Sequence, residues 1–366
     1  MGRHKPTLVL QPQAFRKDAR AKQAKAIINK SIPALLVSDA RARRGIESAE
    51  LISDPPPNEG GAGSQSPSET TQFNISIHTV DTITAALRLQ MNSPKATVGV
   101  LNMASPLRPG GGVLNGATSQ EEFLCVRTTL YPSLHESFYR LPELGGVWTP
   151  DVLIFRDGTF EGNNLVKGER KYIGVVSSAM LRFPEVEEHG SCYSNSSEGE
   201  MAERKMRAVM RIFQAKNIDS VVLGAWGCGA YGNPVKEIAK AWKKVLQNDW
   251  GKNPKDRRNL DRETWGGIRQ VIFAINDINI AKEFAKYFGR ELVMENVTDE
   301  GIDERGSDQN VQAIDELKSR IEGLEAQIPN IRADLLRHRL HDVLVGLKLQ
   351  LAGRMALCES SNLNKS

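Results

Sequence analysis

From about residue 72 the chain alternates short runs rich in Val and Ile with longer amphipathic stretches. FNISIHTV (73–80), ATVGVLNM (96–103), VLIFR (152–156), KYIGVVSSA (171–179), SVVLGAW (220–226) and RQVIFAIN (269–276) are too short for helices and rich in β-branched residues. They predict buried strands. Between them, 82–91, 121–130, 198–216, 235–249 and 280–288 place apolar residues at helical spacing. Such alternation predicts an α/β fold, a sandwich of helices around a largely parallel central sheet. Ligands then bind in the loops that follow the carboxyl ends of the strands.

The flanks have other patterns. Residues 12–50 are dominated by Ala, Lys, Arg and Gln, with Ala24, Ile27 and Ile28 at helical spacing. Pro33 interrupts them, which predicts two helices instead of one. The stretch SDPPPNEGGAGSQSPSETT (53–71) has too little apolar content to fold and reads as a flexible connection. Past Asn296, a polar segment leads to a stripe of Ile314, Leu317, Ile321, Leu324, Ile328 and Ile331, cut by Pro329. A second stripe follows: Leu335, Leu336, Leu340, Val343, Leu344, Leu347 and Leu351. Two amphipathic helices are expected, packed as a hairpin on the domain or on each other. About two heptads before a proline is short for a dimerising coiled coil, and self-association through these helices is the lesser alternative. The division expected is an N-terminal helical extension (1–52), a linker (53–71), a catalytic core (72–300) and a C-terminal helical extension (301–366).

Composition narrows the function classes. The chain has 366 residues, 40% apolar and 25% charged, with a net charge of +4. These values exclude collagen-like and fully disordered classes, and so small a surplus of positive charge predicts no direct nucleic-acid binding. No run of eighteen apolar residues exists, and the N-terminus lacks the apolar core of a secretory signal, so no membrane association is expected. Cys125, Cys192, Cys228 and Cys358 are far apart, which argues against a disulfide framework or zinc finger. A reducing compartment, nuclear or cytoplasmic, is expected. The six His are scattered, and neither a metal nor another cofactor is expected.

The candidate chemistry lies in NMASPLRPGGGVLNGATSQEEFLCVRTTLY (102–131). A strand ends near Met103, a loop stiffened by Pro106 and Pro109 leads to Gly110, Gly111 and Gly112, and Gln120, Glu121 and Glu122 open a helix. Consecutive glycines at a strand exit let backbone approach a ligand closely, and exposed amides can cradle an anion such as a diphosphate. Each part has a simpler structural reading. Glycines occur in plain surface loops, and acidic residues in a helix's first turn complement its dipole. Together they would hold a phosphorylated substrate against a general acid. A second loop, LGAWGCGAYGNP (223–234), follows another strand and precedes a helix. Its glycines suit a diphosphate, and Tyr231 offers a ring to a sugar or base. It lacks both the GxGxxG fingerprint and a P-loop ending. Cys228 between glycines reads as a small buried thiol before a nucleophile.

GGG, seven residues, then QEE, together with LGAWGCGAYGNP, resembles the poly(ADP-ribose) glycohydrolases, in particular their microbial-type branch. The resemblance covers roughly residues 10–300 and is specific in the two loops. It implies a macrodomain-like fold, a three-layer α/β/α sandwich with a mixed central sheet. It implies hydrolysis of ribose–ribose bonds in poly(ADP-ribose), mainly exo, with Glu122 as acid then base and Glu121 holding ribose hydroxyls. By the same resemblance Asn102 contacts the terminal ribose, and Gly110, Gly111, Gly112, Asn115 and Gln120 belong to the catalytic loop. Gly227, Cys228, Gly229, Ala230 and Tyr231 form the diphosphate loop, with Tyr231 where the family places Phe. The implied partners are poly(ADP-ribose), ADP-ribose and ADP-ribosylated proteins. The alternatives are a hydrolase of single ADP-ribose groups and a non-catalytic ADP-ribose reader, though two carboxylates beside a diphosphate argue against a reader.

Overall fold

The computed structural model describes residues 13–57, 73–187, 190–247 and 263–294, and scattered residues between 314 and 355. In chain order the regular elements are α1 (Gln13–Ala26), α2 (Ile32–Ser38), α3 (Ala40–Glu47), β1 (Glu50–Ser53), β2 (Asn74–His78), α4 (Thr82–Asn92), β3 (Val98–Met103), α5 (Gln120–Cys125), β4 (Gly145–Ile154), β5 (Lys171–Ser178), α6 (Ser196–Ala215), β6 (Ser220–Leu223), α7 (Val235–Gln247), β7 (Gln270–Ala274), α8 (Ile278–Phe288) and β8 (Leu292–Val293).

Period-two alternation in the strands decides the layers. Leu101 of β3, Val221 and Leu223 of β6, and Val271 and Phe273 of β7 point into one core with Phe213, Trp242 and Phe284 from α6, α7 and α8. Their neighbours Val98, Val100, Val222, Ile272 and Ala274 point into a second core with Ile27, Ile83 and Leu124 from the N-terminal helices, α4 and α5. The result is a three-layer α/β/α sandwich around an eight-stranded sheet of order β1-β4-β5-β3-β6-β7-β2-β8. The sheet is mixed: β4 runs antiparallel to β1 and β5, whereas β5, β3, β6, β7, β2 and β8 are mutually parallel. The β3 and β6 carboxyl ends lie side by side, so the loops that leave them share one edge of the domain.

Several expectations need correction. The N-terminal stretch divides at more points than Pro33. A π-turn over Ile27–Ser31 ends α1, and Pro33 falls at the start of α2, where a missing N–H costs least. A further break comes at Asp39, whose side chain accepts from Ala42 N and caps α3. The antiparallel strand β4 runs over 145–154, longer than VLIFR predicts, and its register shifts between Thr149 and Val152. The helix expected over 121–130 stops at Cys125, after which the chain turns to bond with β4 (Thr129 N to Leu153 O, 3.0 Å).

The segment 1–52 also contributes more than helices. Strand β1 forms the sheet edge against β4, and α3 packs so closely on β4 that a Cβ on Gly45 would stand 2.3 Å from Pro150 O. Most of the linker lies outside the described residues. In the C-terminal stripes, Leu317 and Ile321 pack with Leu344 and Leu347, bringing the two stripes together, and Phe183 of the core packs against the cluster. Leu324, Ile331, Leu335, Leu336 and Val343 lie outside the described residues. Among the described residues no helix is long and apolar enough to cross a membrane.

Candidate active site

The site is built on the exit of β3. Asn102 is fully buried at the end of that strand, and its Nδ2 donates to Ser177 Oγ across the β5 pairing (3.0 Å). Gln120 fastens α5 to the same strand end. Its Oε1 accepts from Met103 N (2.9 Å) and its Nε2 donates to Leu101 O (2.9 Å). The Gln120 amide is therefore used as a brace on main chain, and its position in the motif sets where the next two residues stand.

Those residues, Glu121 and Glu122, are only 2% and 5% exposed. Buried carboxyl groups require hydrogen bonds, and the glycine loop supplies them. Gly112 N donates to Glu122 Oε1 (2.7 Å), and Ser105 N at the start of the loop donates to Glu121 Oε2 (2.7 Å). Ser119 Oγ donates to Glu122 Oε2. Gly111 N turns back to Arg108 O (3.1 Å). Of the amides that the sequence suggests can cradle an anion, that of Gly112 holds the protein's own Glu122 carboxylate.

The left-handed backbone is essential here. At Gly111 φ is +57°, and a Cβ would stand 2.6 Å from Glu122 Oε1 and 2.8 Å from Glu121 Oε2. At Gly116 φ is +76° and a Cβ would stand 2.2 Å from Lys17 O, because α1 lies directly on this turn. Arg20 Nε closes that contact on Gly116 O (2.9 Å). Asn115 is exposed on the same turn.

Burial is the main cause that raises the Glu121 carboxyl well above the ordinary carboxylate range. The adjacent Glu122 charge adds to it, and the bonds from Ser105, Asn102 and Gly110 oppose it. Burial likewise pushes up the thiols of Cys125 and Cys228 and the Tyr139 phenol. Cys228 is therefore a protonated, enclosed thiol and a poor nucleophile.

The second loop leaves β6 beside the first, and a Cβ on Gly224 would touch Met103 Cε at 2.3 Å. Internal bonds use the amides of Trp226, Cys228, Gly232 and Asn233. Cys228 N is thus turned to Ala225 O (3.1 Å), a correction to the expectation that it faces a diphosphate. The amides of Gly227 and Ala230 take no part in these bonds, Gly229 is exposed, and Tyr231 is half-buried with Arg182 stacked 5.9 Å from its ring centre. Asn233 ties the loop down. Its Nδ2 donates to Leu181 O (2.7 Å) and Gly227 O (3.2 Å), and its Oδ1 accepts from Tyr193 (2.8 Å).

Sequence reasoning missed Arg20, Ser105, Ser119, Tyr139 and Asn233. Ser119 had a local signal, since Ser followed three residues later by Glu is the spacing of a capping box. The other four act across long sequence separations. Among the described residues, no group of three or more His, Cys, Asp or Glu is placed to hold a metal ion.

Fold and site together define the class: an α/β/α domain that presents a buried carboxylate pair at the exit of a central strand, beside a glycine-rich loop. Residues 40–157 match the family described as microbial-type PARG, catalytic domain, PARG being poly(ADP-ribose) glycohydrolase. The matched stretch contains the whole GGG–QEE loop. The poly(ADP-ribose) glycohydrolase from Thermomonospora curvata is similar in structure, with a TM-score of 0.56 at 22% identity, covering 74% of this chain and 98% of that one. The same enzyme bound to the inhibitor ADP-HPD gives 0.53 at 22% identity, covering 74% and 100%. The enzyme from Deinococcus radiodurans in complex with ADP-ribose gives 0.45 at 19% identity, covering 77% and 98%. The Thermomonospora likeness establishes the shared fold. Comparison with curated protein sequences gives no match.

Proposed function

We propose that the chain hydrolyses the ribose–ribose O-glycosidic bonds of poly(ADP-ribose), working mainly from chain ends and releasing ADP-ribose. The observation that carries this reading is the buried Glu121–Glu122 pair held by the glycine-loop amides, within the segment that matches the PARG catalytic domain.

Cleavage of such a bond passes through an oxocarbenium-like state and needs an acid at the leaving oxygen. Glu122 is assigned that role, protonating the ribose oxygen and then, as carboxylate, activating water. Its two oxygens are fixed by Gly112 N and Ser119 Oγ, so little side-chain freedom is lost when substrate arrives. Glu121 takes the ribose hydroxyls, aided by Asn102. Adjacent in sequence and held by one loop, the two carboxyls do not flank a bond as paired glycosidase carboxylates do, which favours one dominant acid/base. The raised Glu121 carboxyl keeps a proton in the pair to higher pH than a solvated carboxylate would. Gly227 and Ala230 amides take the diphosphate and Tyr231 covers a ribose. The catalytic unit in this reading is the core 72–300 together with the N-terminal helices that clamp its loop, and the C-terminal hairpin is accessory.

Product analysis on defined polymer tests the reading. Wild-type protein is expected to release monomeric ADP-ribose, and Glu122→Gln to bind ADP-ribose without releasing it from polymer. Near-normal turnover by Glu122→Gln overturns the assignment. Release only of single protein-linked groups identifies the mono-ADP-ribosyl hydrolase, and binding without hydrolysis by wild type identifies a reader.

A further inference from the structure

Asn102 Oδ1, Glu121 Oε1 and the Tyr139 hydroxyl are buried and have no hydrogen-bond partner among the described residues. The Asn102 side chain reaches the Glu121 carboxyl, and Glu121 is the charged group that acts most strongly on the Tyr139 phenol, with Tyr231 also acting on it. Tyr139 is brought there by long-range packing. Leu141 N bonds to Pro106 O (3.0 Å), which fastens its segment to the glycine loop, and Tyr139 packs against the cluster of Ala104, Leu141, Val147 and Ala179.

An enclosed hydroxyl or carboxyl oxygen without a partner destabilises the protein that carries it. Three such atoms suit a ligand that satisfies all of them. Asn102 Oδ1 and the unpartnered Glu121 oxygen accept hydrogen bonds, whereas a neutral phenol donates one. A phosphate has no hydrogens to give the two acceptors and would be repelled by Glu121. A vicinal diol fits, because one hydroxyl can give its hydrogen to Glu121 or Asn102 while its oxygen accepts from Tyr139.

We infer that Tyr139 is a third contact to the terminal ribose, donating its phenol hydrogen to a hydroxyl oxygen whose own hydrogen goes to the Glu121–Asn102 pair. The inference rests on the glycohydrolase reading and adds a residue to it. ADP-ribose and ADP differ by that ribose, so the comparison isolates the contact. Tyr139→Phe is expected to bind ADP-ribose about 5- to 20-fold more weakly, to bind ADP as wild type does, and to melt at the same or a higher temperature. On polymer its kcat is expected to fall by at least as large a factor. Unchanged ADP-ribose affinity, or equal losses for ADP-ribose and ADP, overturns the role of Tyr139 while leaving the parent reading in place. Wild-type protein that binds neither nucleotide and leaves polymer intact overturns both.

Discussion

Gly112 N donates a 2.7 Å hydrogen bond to Glu122 Oε1, ten residues further along the chain. Glycine loop and carboxylate are therefore one unit. The loop's backbone sets the position of the acid, and the acid satisfies the loop.

Replacing Glu122 by Gln preserves the acceptor for Gly112 and removes the transferable proton. Hydrolysis of polymer should fall by roughly 10²–10⁴-fold, with the melting temperature and ADP-ribose affinity close to wild type. Steady-state kinetics, calorimetric titration and thermal melts on one preparation check all three.

Gly111→Ala places a methyl group 2.6 Å from Glu122 Oε1 at a φ of +57°. A loss of about 1–3 kcal/mol in stability is expected, with at least a tenfold drop in turnover. Gly229, where a Cβ would meet nothing within 4 Å, is the control, and Gly229→Ala should melt as wild type. Equal melting temperatures for the two variants would contradict the crowding at Gly111.

Arg20 joins α1 to the glycine loop through Gly116 O at 2.9 Å. Arg20→Ala should cost about 1 kcal/mol and lower kcat more than it changes KM, since the same loop fixes the carboxylate of Glu122, the proposed acid. A variant with wild-type kcat would show that α1 supports stability alone.

Asn233 satisfies Tyr193, Leu181 O and Gly227 O at once. Asn233→Ala leaves these groups without it in a buried setting, and about 2–4 kcal/mol should be lost. ADP affinity should weaken together with stability, because the loop proposed to take the diphosphate loosens. Chemical denaturation and titration with ADP measure the two effects.

The raised Glu121 carboxyl has a defined sign in stability. The folded protein binds this proton more tightly than the unfolded chain, so Glu121 contributes stability at low pH. That contribution declines as pH rises from the ordinary carboxylate range through the folded-state value. Glu121→Gln, which cannot ionise, should lack the decline. Relative to wild type its melting temperature should therefore improve as pH rises from 4 to 8, and a constant difference across that interval would refute the shift.

Strands β2 to β7 and the two glycine-rich loops were legible from the chain alone, whereas the edge strands β1 and β8 were not. Val221, Val222 and Leu223 alternate between two cores as a two-residue period demands, and α7 and α8 begin and end within a few residues of the periodic pattern. Local regularities misled only where a distant partner intervened. The antiparallel strand β4 owes its length to pairing with β1 and β5 on its two sides, and α5 ends early because the chain after Cys125 bonds to β4.

The sequence by itself determined that glycines and adjacent acids stand together at a strand exit, because periodicity and spacing are local properties. Tertiary structure alone decided what each group faces. The Gly112 amide turns inward to Glu122 and the Ser105 amide to Glu121, Arg20 reaches Gly116 across 96 residues, and Tyr139 and Asn102 converge on Glu121. Hydrogen-bond partners and desolvation depend on which surfaces meet when the layers pack, and no local pattern encodes them.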